Sequence, residues 1–247
     1  MNKTRIEWVR NPDGSPGYTV NPVKGLCPVG CEYCYARRMY KRFGWDPRIR
    51  YEAWGDSLAH INQPSRIFVG STMELFGDWI YPQYEYTWLE AIFSIVRSNP
   101  CHTFLFLTKR PEALSQWSPF PDNCWVGVTA TDSTSFSKAT DGLMYVKAAV
   151  KFISIEPLLA PVRFYPERLP YCGIDWIIIG QQTPVRKATM PKVEWIREIV
   201  EAADQAPITP VFLKDNLKPL LVEYEDGIEY APLWANGGHG TLRQELP

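Results

Sequence analysis

Six short apolar runs constrain this chain most. They are Arg66–Gly70, Thr103–Leu107, Trp125–Val128, Lys151–Ile155, Asp175–Ile179 and Pro210–Leu213, each four or five residues long and rich in β-branched and aromatic side chains. Continuous runs of this length suit parallel strands covered on both faces. A shorter extended piece, Tyr18–Val20, precedes them and reads as the first strand. Helix-like stretches lie between. Residues Tyr84 to Arg97 put Trp88, Ala91, Ile92 and Ile95 on one stripe, and Val193 to Ala203 do the same with Ile196, Ile199 and Val200. Pro111 and Pro191 suit helix starts. The alternation predicts an α/β fold, a partial or full parallel (β/α) barrel, with residues 1–247 as a single domain. There is no solenoid repeat, no low-complexity segment and no long linker.

In such barrels chemistry sits at the C-terminal ends of the strands. Each apolar run here turns polar at that end: Ser71-Thr72-Met73-Glu74, Thr108-Lys109-Arg110, Thr129-Ala130-Thr131-Asp132, Glu156-Pro157, Gly180-Gln181-Gln182-Thr183 and Lys214-Asp215. These ends are expected to line one pocket.

After the first strand comes a cysteine loop over residues 26–35. Cys27, Cys31 and Cys34 are spaced C-x3-C-x2-C, and a helix-like run from Tyr35 to Arg42 follows. A loop this short aims three thiolates at one small object. An iron–sulfur cube suits it, with one iron left without a protein ligand. Structural zinc asks for four ligands, and His60, His102 and His239 are distant in sequence. Disulfides leave an odd thiol, and three packed core thiols fit poorly beside Gly, Pro and Glu. Cys101, Cys124 and Cys172 precede strands, hence belong to the opposite rim, and read as small buried thiols.

Net charge is −1, which lacks the basic excess of a protein that holds long nucleic acid by its phosphates. Arg37, Arg38, Lys41 and Arg42 form a local basic group, read first as a solvated helix face. The N-terminus has no apolar signal-peptide core, and no run approaches a membrane helix in length, so cytoplasm is expected. Reduced thiols agree with that compartment.

The motif C-x3-C-x-aromatic-C, with Tyr33 as the aromatic, resembles the signature of the radical S-adenosylmethionine (SAM) superfamily. The resemblance implies a [4Fe-4S] cluster on Cys27, Cys31 and Cys34, with SAM on the open iron. Reductive cleavage of SAM to a 5′-deoxyadenosyl radical would then abstract hydrogen from a substrate. Trp8, Asn21-Pro22, Cys34-Tyr35-Ala36, Arg38-Met39, Leu107 to Pro111, Ile155 to Leu159 and Ile174-Asp175-Trp176 are similar to a phage- and prophage-associated radical SAM family of unknown function. That family is frequently paired with a three-cysteine-motif protein. Asn21-Pro22 and Cys34 to Arg37 also resemble the spore photoproduct lyase group of DNA repair enzymes.

The chain departs from relatives in three places. It has three residues, not six, between the first two cysteines; Gly180-Gln181-Gln182-Thr183 replaces Gly-Gly-Glu-Ser-Gly; and Phe212 to Asn216 replaces Phe-Lys-Gln-Trp-Gly. By matching position, Tyr33 is implied against the adenine and Ser71, Thr72 and Glu74 near the SAM amino group. Thr108, Lys109, Ser154 and Glu156 are implied on the SAM or substrate side, with Lys109 and Glu156 as candidate catalytic residues and a structural ion pair as their bland alternative. Implied partners are SAM, an electron donor such as flavodoxin or ferredoxin, the three-cysteine-motif protein, and a nucleic acid base or a peptide as substrate. A non-catalytic iron–sulfur regulator is the competing reading.

Overall fold

The structure, a computed structural model, describes residues 1–80, 87–205, 207–226, 228–238 and 241–247. In chain order the elements are β1 (Asn2–Lys3), β2 (Tyr18–Val20), β3 (Val23–Lys24), α1 (Tyr35–Phe43), β4 (Arg50–Tyr51), β5 (Arg66–Val69), α2 (Trp88–Arg97), β6 (Thr103–Thr108) and β7 (Cys124–Thr129). Then follow α3 (Ser133–Met144), β8 (Val150–Ile155), α4 (Arg168–Cys172), β9 (Trp176–Ile179), α5 (Val193–Ala203), β10 (Val211–Leu213), α6 (Lys218–Leu221), β11 (Glu223–Glu225) and β12 (Ile228–Tyr230). The fold is mixed α/β. Its central sheet has eight strands in the order β1-β2-β5-β6-β7-β8-β9-β10 and is mostly parallel. The order is open among the described residues, so the sheet is not a closed barrel.

The chain divides into two compact units, Met1–Val126 with Val146–Ala149, and Gly127–Tyr145 with Val150–Pro247. In the first, β2, β5 and β6 are parallel neighbours, with Tyr18 opposite Ile67 and Ile67 opposite Phe104. Ile67, Phe104, Leu105 and Phe106 are fully buried, as continuous apolar runs require. Helix α2 starts at a capping box in which Thr87 and Glu90 satisfy each other's backbone N–H groups. It buries Leu89, Ile92, Phe93 and Val96, and Phe93 meets Phe106 at 5.4 Å and Phe120 at 5.6 Å. The part of the anticipated helix at Tyr84–Tyr86 lies outside the described residues, as does His239.

In the second unit β8, β9 and β10 are parallel, and Phe152, Trp176 and Phe212 meet in tilted and edge-on contacts with centroids 5.6 and 6.1 Å apart. A side chain at Gly127 would strike the Phe152 ring at 2.3 Å, so only glycine fits beneath it. The outer edge of β10 is covered by the C-terminal tail: Leu213 N–H donates to Arg243 O at 2.8 Å, and Glu245 N–H to Val211 O at 3.1 Å. Main-chain groups of an edge strand need partners. Here the chain's own end supplies them.

Two expectations change in detail. Pro111 opens only a 3-10 turn, Pro111–Ala113, whereas Pro191 stands just before α5 as anticipated. Cys101 is exposed, not buried, whereas Cys124 and Cys172 are buried. Cys101 sits in the turn before β6, where no apolar layer covers it.

Candidate functional site

The cysteine loop is carried on an excursion between β2 and β5. Its neck is the antiparallel pair β3–β4, with Val23 opposite Tyr51 and Lys24 opposite Arg50. Above the neck Leu26 N–H donates to Pro47 O at 2.9 Å, and Gly25 N–H to the Tyr40 hydroxyl at 2.8 Å. Gly25 has φ +117, and a Cβ there would lie 2.7 Å from Arg48 O. This close approach explains glycine at the position.

Helix α1 begins where the loop ends. Cys34 is its N-cap, and the Cys34 Sγ accepts from Arg37 N–H at 3.4 Å. Arg37 also reaches back, donating from Nη2 to Cys27 O at 2.8 Å. Arg37 therefore links both ends of the loop, Cys34 by its main-chain N–H and Cys27 by its guanidinium.

Cys27, Cys31 and Cys34 line one small recess together with Leu26, Gly30, Ala36, Arg37, Tyr40 and Thr72. Burial pushes the Cys27 thiol up, opposed by the backbone N–H groups of Glu74 and Val29 and reinforced by the nearby Glu74 and Cys34 charges. Among the described residues no three His, Cys, Asp or Glu side chains are placed to grip a single metal ion.

The loop after β5 stands at the wall of this recess. Asn21, just past β2, accepts at Oδ1 from Ser71 Oγ at 3.2 Å and from Thr72 N–H at 3.0 Å. The Tyr35 hydroxyl donates to Ser71 O at 2.8 Å. Thr72 lines the recess directly. Glu74 is buried, and its carboxylate accepts from Phe76 N–H, Thr108 Oγ and Lys109 N–H at 3.0, 2.7 and 2.7 Å. It thus ties β6 to the β5 loop. Thr108 is buried and also accepts from Arg110 N–H at 2.9 Å. Lys109 is exposed and holds its Nζ 5.9 Å from the Tyr33 ring centroid.

The second unit has a separate polar group at its strand ends. Glu156 forms a half-buried ion pair with Lys214, and a Cβ on Gly180 would lie 2.8 Å from the Lys214 Cδ. Among the described residues the buried Ser154 finds no partner for its Oγ, and the buried Gln181 none for its Oε1. Asn216 holds Gln181 by donating from Nδ2 to Gln181 O at 2.8 Å. The ion pair contemplated for Lys109 and Glu156 thus resolves differently. Glu156 has Lys214, and Lys109 has the Tyr33 ring.

Sequence reasoning pointed to Cys27, Cys31, Cys34 and Thr72, which share one recess, but it did not find the Asn21 clasp, the bond from Arg37 to Cys27 or the pairing of Lys214 with Glu156. Asn21-Pro22 after a strand was the available signal for a loop clasp, and Arg37 sits three residues past a capping cysteine. No curated protein and no solved structure matches the chain. A family model described as protein of unknown function (DUF5131) matches residues 3–216. The match covers most of the chain, both the cysteine loop and the strand ends, and the chain therefore belongs to the DUF5131 family.

Proposed function

We propose that this protein is a radical SAM enzyme that carries a [4Fe-4S] cluster on Cys27, Cys31 and Cys34. The observation that carries the reading is the single recess lined by all three thiols. The donor set fits: three soft thiolate ligands, the N-terminus of α1 at Cys34 and the Arg37 cation together favour a negatively charged, thiolate-bound group. When bound, such a cluster supplies the electron that splits the sulfonium of SAM into methionine and a hydrogen-abstracting 5′-deoxyadenosyl radical.

The chain's own residues have distinct tasks in this reading. Arg37 fixes the loop through Cys27 O and offsets the charge of the thiolates. Asn21 orders the Ser71–Thr72 segment, which presents Thr72 at the recess. Glu74 and Thr108 are positioning residues, since their polar atoms are engaged within the chain. Tyr33, with Lys109 above its ring, offers an aromatic face and a cation on the solvent side of the loop. For Ser154 and Glu156 the proposal is narrower: a hydroxyl without a partner among the described residues, two positions before a carboxylate held by Lys214, suits ligand binding within the second unit. A partial barrel of the radical SAM type is the finer fold that the in-order parallel strands support.

The test is SAM turnover. Anaerobically reconstituted protein with dithionite and SAM should release methionine and 5′-deoxyadenosine, slowly even without substrate. Iron bound but SAM never cleaved, with cell extract present, would favour an iron–sulfur regulator instead.

A further inference from the structure

The hairpin of β11 and β12 is a two-stranded sheet of its own. Its register sets Glu223 opposite Tyr230 and Glu225 opposite Ile228, so these four side chains share one face, and Tyr224 and Glu229 share the other. Neither face is covered. Every residue of the two strands is exposed except the half-buried Glu229, and Ile228 and Tyr230 keep 55% and 48% of their surface. An isolated two-stranded hairpin is marginal in water, and antiparallel sheets ordinarily pack at least one face. Residues 219–238 also hold four acids, Glu223, Glu225, Asp226 and Glu229, and no Lys or Arg. No ion pair of these acids is found among the described residues.

Apolar side chains bare on a sheet face call for a covering surface, and the acids beside them decide its charge. A second hairpin added edge to edge would set like charges against each other. The cover is therefore cationic with an apolar body. The chain itself presents such a surface at Lys41-Arg42-Phe43-Gly44-Trp45, where α1 ends, with every residue exposed and none acidic. Lys41 and Arg42 have a reason of their own, since the last turn of a helix favours cations. That reason does not extend to the rings. Phe43 and Trp45 stack at 5.5 Å, with the Arg42 guanidinium 5.3 Å over Phe43, yet they leave 54% and 44% of their surface open.

We propose that a second copy of this chain is the occupant. The Ile228 and Tyr230 face of one copy's hairpin docks on Phe43 and Trp45 of the other, and Glu223 and Glu225 meet Lys41 and Arg42. Each copy carries both halves of the contact, so two copies can make it twice. The patches are small, which makes the association weak, steered by charge and sensitive to salt. It does not depend on the cluster.

Sedimentation velocity of the full chain, with thiols kept reduced, reads the association at low salt and near ~1 M salt, where screening acts within about 3 Å. The wild-type mass should rise with concentration at low salt, with a dissociation constant at least ~10-fold weaker at high salt, about 1.4 kcal/mol. Glu223→Lys/Glu225→Lys and Lys41→Glu/Arg42→Glu, each checked for its fold by circular dichroism, should each weaken self-association at least ~10-fold. An equimolar mixture of these two variants should recover it, because each supplies the charge that the other lacks. Arg186→Glu/Lys187→Glu, the same charge change on an exposed loop before α5, should associate like wild type. Wild type that stays monomeric up to ~1 mM, or whose association ignores salt, overturns the proposal. So does a mixture of folded variants without recovery, or an equal loss in the control. Monomeric wild type that binds single-stranded DNA through Lys41 and Arg42 overturns it in favour of a nucleic acid.

Discussion

The Thr108 hydroxyl donates to the Glu74 carboxylate at 2.7 Å, joining the last residue of β6 to the loop that follows β5. The Lys109 N–H donates to the other oxygen of the same carboxylate at 2.7 Å. Two strand ends are locked by one buried acid, and the loop between Gly70 and Glu74 is the segment that meets the cysteine recess through Thr72.

Glu74→Gln should therefore act on stability and loop order. An amide offers only one oxygen, so at least one buried donor loses its acceptor, at a cost of about 1–3 kcal/mol. Denaturant unfolding of the variant checks this. An unchanged midpoint contradicts the tie between the two strand ends.

Glu156 and Lys214 form a pair whose side chains are 23% and 13% exposed. Either Glu156→Gln or Lys214→Met strands the remaining charge. Full burial would cost about 3–5 kcal/mol, and partial exposure lowers this to roughly 1–3 kcal/mol. In the double variant most of that loss should return, giving a coupling energy in the double-mutant cycle of about 1 kcal/mol or more. Additive losses would show that the two residues do not act as a pair.

The three cysteines outside the loop differ in exposure, and thiol chemistry reads it. In a Cys27→Ala/Cys31→Ala/Cys34→Ala background, a thiol reagent should find Cys101 at once and Cys124 and Cys172 only on unfolding. Burial pushes the Cys124 thiol up from an ordinary 9.0 to about 12. Raising the folded value means that this group's stability contribution is complete below pH 9.0 and is lost as pH rises towards about 12. Cys124→Ala should make the alkaline loss of stability shallower. A Cys124 that reacts as fast as Cys101 contradicts its burial at the start of β7.

Much of this fold is legible in residue order. The apolar runs became β5 to β10 within a residue or two, because a strand covered on both faces admits few polar side chains. Helix α5 kept its anticipated bounds, Val193–Ala203. Helix α3 was not read, because Ser133, Thr134, Ser135 and Lys138 dilute its apolar stripe of Phe136, Ala139 and Leu143. Its signal was the capping box of Asp132 and Ser135. The choice between a partial and a full barrel was left open, and the tail from Arg243 to Glu245 that covers β10 is a long-range pairing without periodicity of its own. At the site, cysteine spacing located the loop. The partners of Arg37, Asn21 and Glu156 required three-dimensional contacts that no spacing encodes.

The central claim is that Cys27, Cys31 and Cys34 hold one iron–sulfur cluster, and iron stoichiometry after anaerobic reconstitution tests it most directly. Wild type should bind about four irons with a broad absorption shoulder near ~400 nm. Cys27→Ala, Cys31→Ala and Cys34→Ala should each abolish both, while Cys101→Ala, Cys124→Ala and Cys172→Ala retain them. Four irons retained in any variant of the first set, or no iron in the wild type, would contradict the claim.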